Sequence, residues 1–406
     1  MQIKTSFSEL AKEHAHYPEE HMLKVKPAQR MLNIGIPREI EEYENRVILT
    51  PEGVAVLVNN GHEVSIESKA GQYAKFTDKD YSEAGAKIVY SAKEAYQADV
   101  ILKVMPPTLD EISYMKPGQT IFSALQLAKV TQEYIEAMMK QRVTGIALEY
   151  IEDKVGGKPV VRAMSEISGS TVMLIAAEYL SSASDGKGMI LGGITGVPPT
   201  KVVILGAGTV AEFAARTAMG LGAEVKIFDN HIYKLRRLKQ NLGAHIYTST
   251  LDTVTLSKAL AEADVVIGAL RAEEDRSPCI VTEEMISNMQ PNSVIIDVSI
   301  DQGGCFETSH ITSLKKPVYK KYEVIHYCVP NIASRVARTA TTAFSNIFTP
   351  LLVQIANNGG LEEIIFTKEW LMKGVYTYKG SLTNQALAKR FEMKYKDMKL
   401  FLISRF

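Results

Sequence analysis

The segment Val202-Val-Ile-Leu-Gly-Ala-Gly-Thr-Val-Ala211 constrains the fold of this chain more than any other stretch. A continuous apolar run, two glycines and a small residue fit a buried parallel strand that turns sharply into a helix. In the pattern G-x-G-x-x-A, Gly206 permits the tight turn and Gly208 lets a pyrophosphate approach the backbone. Ala211 allows the helix to pack closely on the strand. The helix start offers free N–H groups and a partial positive charge to phosphate. A second strand-like run, Glu224–Phe228, ends in Asp229, 23 residues beyond Gly206. A carboxylate there accepts hydrogen bonds from ribose hydroxyls and repels a 2′-phosphate. The pattern therefore predicts NAD as cofactor and favours it over NADP, even with Lys234, Arg236 and Arg237 close by.

Strand–helix alternation extends along the whole chain. Short apolar runs lie at Leu32–Ile36, Glu63–Glu67, Lys87–Tyr90, Val100–Val104, Thr120–Ala124 and Thr144–Glu149. Helix-like stretches separate most of them, such as Pro51–Asn60 after the cap-like Thr50. A break with Asp153, Gly156 and Gly157 follows. The second series is Val202–Leu205, Glu224–Phe228, His245–Thr248, Val265–Leu270, Ser293–Val298 and Glu323–Tyr327. Six such strands complete a dinucleotide-binding domain. Ser165–Tyr179 and Ala343–Ala356 read as apolar core helices, and the last fifty residues as helix plus tail. The expected class is α/β: two doubly wound Rossmann-like domains with a cleft between them, joined by long helices. Residues 1–30 are expected as an N-terminal extension. Residues 31–160 with 335–406 are expected as a substrate domain, and 161–334 as the NAD-binding domain. In such an architecture a ligand sits in the cleft.

Composition removes several function classes. The 406 residues carry 46 Lys+Arg against 46 Asp+Glu, a balance that argues against a nucleic-acid binder working by bulk charge. Cys279, Cys305 and Cys328 show no C-x-x-C spacing and read as buried small hydrophobes in a reducing cytosol. No apolar run reaches the roughly 18–20 residues of a membrane helix, and residues 1–30 lack a secretory h-region. The expectation is a cytoplasmic protein with a small-molecule substrate, no nucleic acid and no membrane. No His/Cys/Asp cluster has metal-ligand spacing, so no metal is expected. No G-x-S-x-G elbow is present.

With the fingerprint placed, the chain from about Leu32 to Gly380 resembles the alanine dehydrogenase family. That family is related to the NAD-binding domain of proton-translocating transhydrogenases. The matching stretches are Gly35-Ile-Pro-Arg-Glu39, Asn45-Arg-Val47 through Thr50-Pro51, Leu102-Lys-Val104, Met164-Ser-Glu166 and Gly192-Gly-Ile-Thr-Gly196. The most specific are Asp297-Val-Ser-Ile-Asp-Gln-Gly-Gly-Cys-Phe-Glu307 and Tyr327-Cys-Val-Pro-Asn331. The resemblance implies oxidative deamination of L-alanine with NAD and water to pyruvate, ammonium and NADH, carried out by a homohexamer. It implies Arg46 on the substrate carboxylate and Asp301 at the reacting water. It also implies cofactor contacts from Ser165, Gly206, Gly208, Ala211, Asp229, Lys234, Leu270, Val298, Asp301 and Asn331. Asn331 is expected beside the substrate as well.

Two positions depart from the family pattern. Met105 stands where the family has a substrate-holding lysine, and Gln126 where it has the acid/base histidine. Methionine offers an adaptable apolar surface and no charge. Glutamine donates and accepts hydrogen bonds but transfers no proton near pH 7. Lys103, two residues from Met105 and so expected on the same strand face, is the candidate to fill the gap as catalytic and substrate-binding cation. The alternative for Lys103 is a structural ion pair. His62, His231, His310 and His326 fall on no family catalytic position. The loop Arg271–Ser277 also differs from the apolar-glycine loop usual at that place. The first reading is an alanine dehydrogenase-type oxidoreductase, weak or altered in substrate. The alternatives are a non-catalytic NAD(H)-binding protein and a transhydrogenase-like component. Against the last, only 35 positions separate Asp229 from Asp264, room for helix, strand and helix but no inserted loop.

Overall fold

The computed structural model describes residues 29–127, 129–271 and 277–403. The expected extension up to residue 28 and the centre of the 271–277 loop lie outside the described residues. The first sheet contains β1 (Asn33–Ile36), β2 (Glu63–Glu67), β3 (Lys87–Val89), β4 (Val100–Leu102), β5 (Thr120–Ser123), β6 (Thr144–Ala147), β14 (Val375–Tyr378) and β15 (Ser381–Leu382). Its order is β15-β14-β6-β5-β4-β1-β2-β3. Strands β1 to β6 are parallel, and β14 joins β6 antiparallel.

The second sheet contains β7 (Lys201–Leu205), β8 (Glu224–Phe228), β9 (Tyr247–Ser249), β10 (Val265–Gly268), β11 (Val294–Asp297), β12 (Val318–Lys321) and β13 (Val324–Tyr327). Its order is β12-β13-β11-β10-β7-β8-β9, with β12 the antiparallel edge. Each sheet reverses its winding direction beside its first strand, the switch point at which open α/β sheets bind ligands.

Alternation of side chains explains why both faces are covered. Val100 and Leu102 enter one apolar cluster with Phe122 and Phe348, while Ile101 and Ile121 enter another with Tyr376. In the second sheet Val202 and Ile204 point one way, Val203 and Leu205 the other. Strands buried on both faces read as continuous apolar runs, which is why they were legible.

Four helices place the site. Helix α1 (Pro51–Asn59) begins at Thr50, whose hydroxyl accepts from the Gly53 amide at 3.2 Å, with Pro51 in the first helical position. Helix α2 (Pro159–Leu180) crosses α3 (Thr209–Gly220) at Gly169, where a Cβ would lie 2.4 Å from the Val210 carbonyl oxygen. Helix α4 (Ala337–Asn357) meets α1 at Gly53, where a Cβ would lie 2.2 Å from Ser345 Oγ. Among the described residues α2 is long and apolar enough to cross a membrane by length and composition, contrary to the expectation that no such run exists.

Other expectations need correction. The last fifty residues are not helix plus tail: β14 and β15 form a hairpin that extends the first sheet, followed by two short helices. Strand β12 was not anticipated. Strand β4 stops at Leu102 and does not run to Val104, for a reason found in the site. Cys305 and Cys328 are buried as expected, but Cys279 is exposed.

Candidate active site

Residues that follow the C-terminal ends of β4, β5, β6, β10 and β11 converge on one cleft of about 370 Å³. It brings together Arg46, Met105, Gln126, Ser165, Leu270, Val298, Asp301 and Asn331. No histidine lies among the described residues that line it.

On the second-sheet side, the β7–α3 turn has the shape the glycine pattern requires. Gly206 has φ +108°, and a Cβ there would lie 2.5 Å from the Ala269 carbonyl oxygen. A Cβ on Gly208 would meet no atom within 4 Å, so the backbone there is open to an approaching group. Ala211 is fully buried against its neighbours. Asp229 is buried at the end of β8. Its carboxylate accepts from the Ala207 amide at 2.8 Å and the His231 amide at 2.7 Å, and the His231 ring Nδ1 lies 2.9 Å from it. Lys234 Nζ stands 3.3 Å from His231 Nδ1, beside this carboxylate. A carboxylate has about four acceptor positions, so capacity for a ribose hydroxyl remains. The open Gly208 edge, the α3 N-terminus and Asp229 together fit a dinucleotide.

On the first-sheet side, Arg46 is buried over the Phe344 ring. Its Nε and Nη2 donate to Glu44 at 2.7 and 2.5 Å, the bidentate geometry of a strong pair. Nη1 reaches Met164 Sδ at 3.4 Å, so this edge still has donors for a ligand anion. Burial pushes the Glu44 pKa up, but Arg46 outweighs it and holds the carboxyl below its ordinary value. Asn331, in left-handed backbone at φ 57°, donates Nδ2 to the same Glu44 at 2.8 Å.

The two departures from the family pattern touch each other. Gln126 Nε2 lies 3.4 Å from Met105 Sδ. Gln126 is held at φ 51° because its amide and that of Leu125 donate to Glu149, at 2.8 and 2.9 Å. Burial raises the Glu149 pKa, and these amides oppose the rise.

Asp301 sits in the short helical turn Ile300–Gln302, open to the cleft. The cleft walls still strip enough water to push its pKa up, against the fields of Lys129 and Arg271. Asp297 clamps both ends of this turn. It accepts from Ser299 N at 3.1 Å, Cys305 N at 3.0 Å and Ser309 Oγ at 2.8 Å. Burial raises its pKa to about 6.

Lys103 does not fill the gap at Met105. Its side chain is 1% exposed, with Nζ 2.8 Å from Glu39 and 3.5 Å from Glu111. Burial works to lower the Lys103 pKa, and the two carboxylates outweigh it. Glu39 also accepts from the Val104 amide at 2.5 Å and the Met105 amide at 3.4 Å. The chain curls around this carboxylate, which ends β4 early and turns Lys103 inward while Met105 faces the cleft. Sequence reasoning missed the buried carboxylates Glu39, Glu44 and Glu149 that hold the site. Of these Glu44, two residues before Arg46, had a local signal, and Glu39 closes the matching stretch Gly35–Glu39.

Known proteins match the chain along most of its length. Residues 35–168 match the model described as "Alanine dehydrogenase/PNT, N-terminal domain" and residues 172–385 the corresponding C-terminal domain. A curated alanine dehydrogenase of Methanococcus maripaludis is 41% identical over 89% of this chain and 97% of its own. A solved L-alanine dehydrogenase superposes with TM-score 0.83 at 39% identity, over 88% of this chain and 99% of that one. The transhydrogenase from Sinorhizobium meliloti superposes with TM-score 0.75 at 25% identity, over 87% and 99%. Between Asp229 and Asp264 the structure holds helix Ile232–Leu242, strand β9 and helix Thr253–Glu262, and no inserted loop. The chain therefore belongs to the alanine dehydrogenase/PNT family, on the two-domain NAD-dependent alanine dehydrogenase scaffold.

Proposed function

We propose that the protein is an NAD-dependent amino-acid dehydrogenase that converts L-alanine, NAD and water to pyruvate, ammonium and NADH, slowly or with an altered substrate. The observation that carries this reading is the joint placement of Arg46, Asp301 and Asn331 in one cleft with Leu270 and Val298. In this reading residues 31–160 with 335–406 hold the substrate and 161–334 hold NAD. The dinucleotide is held by Gly206, Gly208, Ala211, Asp229 and Lys234, with Ser165, Leu270, Val298, Asp301 and Asn331 toward the reacting end. Bound there, NAD supplies a hydride acceptor for the substrate α-carbon.

The chain's own residues do the rest. Arg46, oriented by Glu44, holds the substrate carboxylate. Asp301 orients the attacking water, and its raised pKa lets it take a proton from that water. Gln126 hydrogen-bonds the carbonyl or hydroxyl oxygen but moves no proton. Met105 lends an apolar wall. We further propose a cytoplasmic enzyme that assembles as a homo-oligomer, a hexamer by family likeness. A second reading, an NAD(H)-binding protein without turnover, is favoured by one observation. The Met105–Gln126 contact stands where the pattern calls for a substrate-holding lysine and an acid/base histidine.

Pyruvate- and ammonium-dependent NADH oxidation by the unaltered protein at high concentration tests the first reading. The cofactor assignment has its own test in Gly208→Val. The backbone there (φ −84°, ψ −170°) is open to an L side chain, and a Cβ would meet no atom within 4 Å. The variant is expected to fold with unchanged melting behaviour and to bind NADH about tenfold more weakly or worse, because the branched side chain takes the pyrophosphate's place. Unchanged NADH affinity would contradict the assignment.

A further inference from the structure

We propose that Lys129 is the substrate-binding cation of this site, in place of the lysine that Met105 supplants. This rests on the dehydrogenase reading above and assigns a residue that the family pattern does not. Among the described residues, four cations besides Lys129 line the cleft and its flanking cavities: Lys103, Arg46, Arg335 and Arg271. Lys103 is spent on Glu39 and Glu111. Arg46 is paired with Glu44, and Arg335 with Glu178 at 2.5 Å. Arg271 follows β10 on the second-sheet side of the main cleft and lines neither flanking cavity.

Lys129 has no ion pair among the described residues, and it lines the two cavities that flank the main cleft. Both cavities share the Met105–Gln126 wall with that cleft, so these two side chains are the partition between Lys129 and the substrate space. One of the two, about 210 Å³, also contains Asp301 and Asn331. The field of Lys129 reaches the Asp301 carboxyl.

Backbone geometry fixes the arrangement. The Lys129 amide donates to the Gln126 carbonyl at 2.8 Å, closing a turn that starts at the left-handed Gln126. Thus the residue that replaced the acid/base histidine also sets where Lys129 stands. A four-carbon stem and three rotatable donors let its ammonium reach over the thioether to a carboxylate or carbonyl oxygen. The chemical class recognised is a small 2-oxo or 2-amino carboxylate.

The test is pyruvate binding to the protein–NADH complex, followed by the change in NADH fluorescence, for the unaltered protein, Lys129→Met and Lys129→Arg. NADH affinity of each variant is measured alongside as the check on folding and on the cofactor site. The expected result is pyruvate affinity weakened about 10- to 100-fold in Lys129→Met, the loss of a charge-assisted hydrogen bond. NADH affinity should be unchanged, and Lys129→Arg should recover most of the loss. Equal pyruvate affinity in Lys129→Met and the unaltered protein would overturn the proposal while leaving the dehydrogenase reading intact. Absence of any pyruvate response in the unaltered protein would overturn both.

Discussion

Replacing Met105 by Lys together with Gln126 by His raises amination turnover about 10²- to 10⁴-fold, the contribution of one positioned acid/base group. The geometry supports so large an effect. The two side chains already meet at 3.4 Å and both line the cleft with Arg46 and Asp301. An ammonium and an imidazole this close disfavour each other's charge, so the imidazole gives up its proton readily in amination and takes one back in deamination. The introduced cation adds a charge-assisted hydrogen bond to the substrate, about 1.5–3 kcal/mol. Steady-state rates of the double variant and both single variants check this. Gln126→His alone should supply most of the gain in kcat, and Met105→Lys most of the fall in KM. Turnover unchanged in the double variant would mean that the cleft is not built around these two positions.

Lys103→Met should destabilise the fold by about 3–5 kcal/mol, the cost of leaving buried charges without their partner. Here two carboxylates, Glu39 and Glu111, lose the cation they share at once. Glu39 already has its pKa raised by burial, and Lys103 is the first force opposing that rise. Without it the Glu39 pKa rises further, and the carboxylate becomes a weaker partner for the amides of Val104 and Met105. The urea midpoint measures the loss. Adding Glu39→Gln should recover part of it, since fewer unpaired charges remain. If Lys103→Met kept its midpoint but lost turnover, Lys103 would be a reacting group and not a strut.

All twelve strands expected from apolar runs formed, because strands covered on both faces carry their signal in consecutive residues. The hairpin Val375–Leu382 was equally legible and missed. Val-Tyr-Thr-Tyr is strand-prone, and Lys379-Gly380, both at positive φ, is a two-residue turn between paired strands. The helical reading of its surroundings hid it. The glycine fingerprint could be placed atom by atom, since Gly206 and Gly208 act through the backbone.

The fate of Lys103 was not legible. It depends on Glu39, 64 positions away in sequence, reaching beneath the end of β4. Spacing alone puts residues 103 and 105 on one face, and only tertiary structure shows that the strand has ended. Lys129 was passed over for a different reason. Its place three residues after Gln126 matters only because Gln126 adopts a left-handed turn. A family pattern directs attention to the positions it contains, and a compensating residue beside them lies outside it.

The most direct test of the central claim is NADH oxidation by the unaltered protein with pyruvate and ammonium, against blanks lacking one or the other. Slow oxidation that needs both is expected, because Arg46 and Asp301 are in place while the acid/base group and the cation at position 105 are replaced. Tight NADH binding with no oxidation above the blanks, beside an active double variant, would contradict it and leave an NAD-binding protein on an enzyme's scaffold.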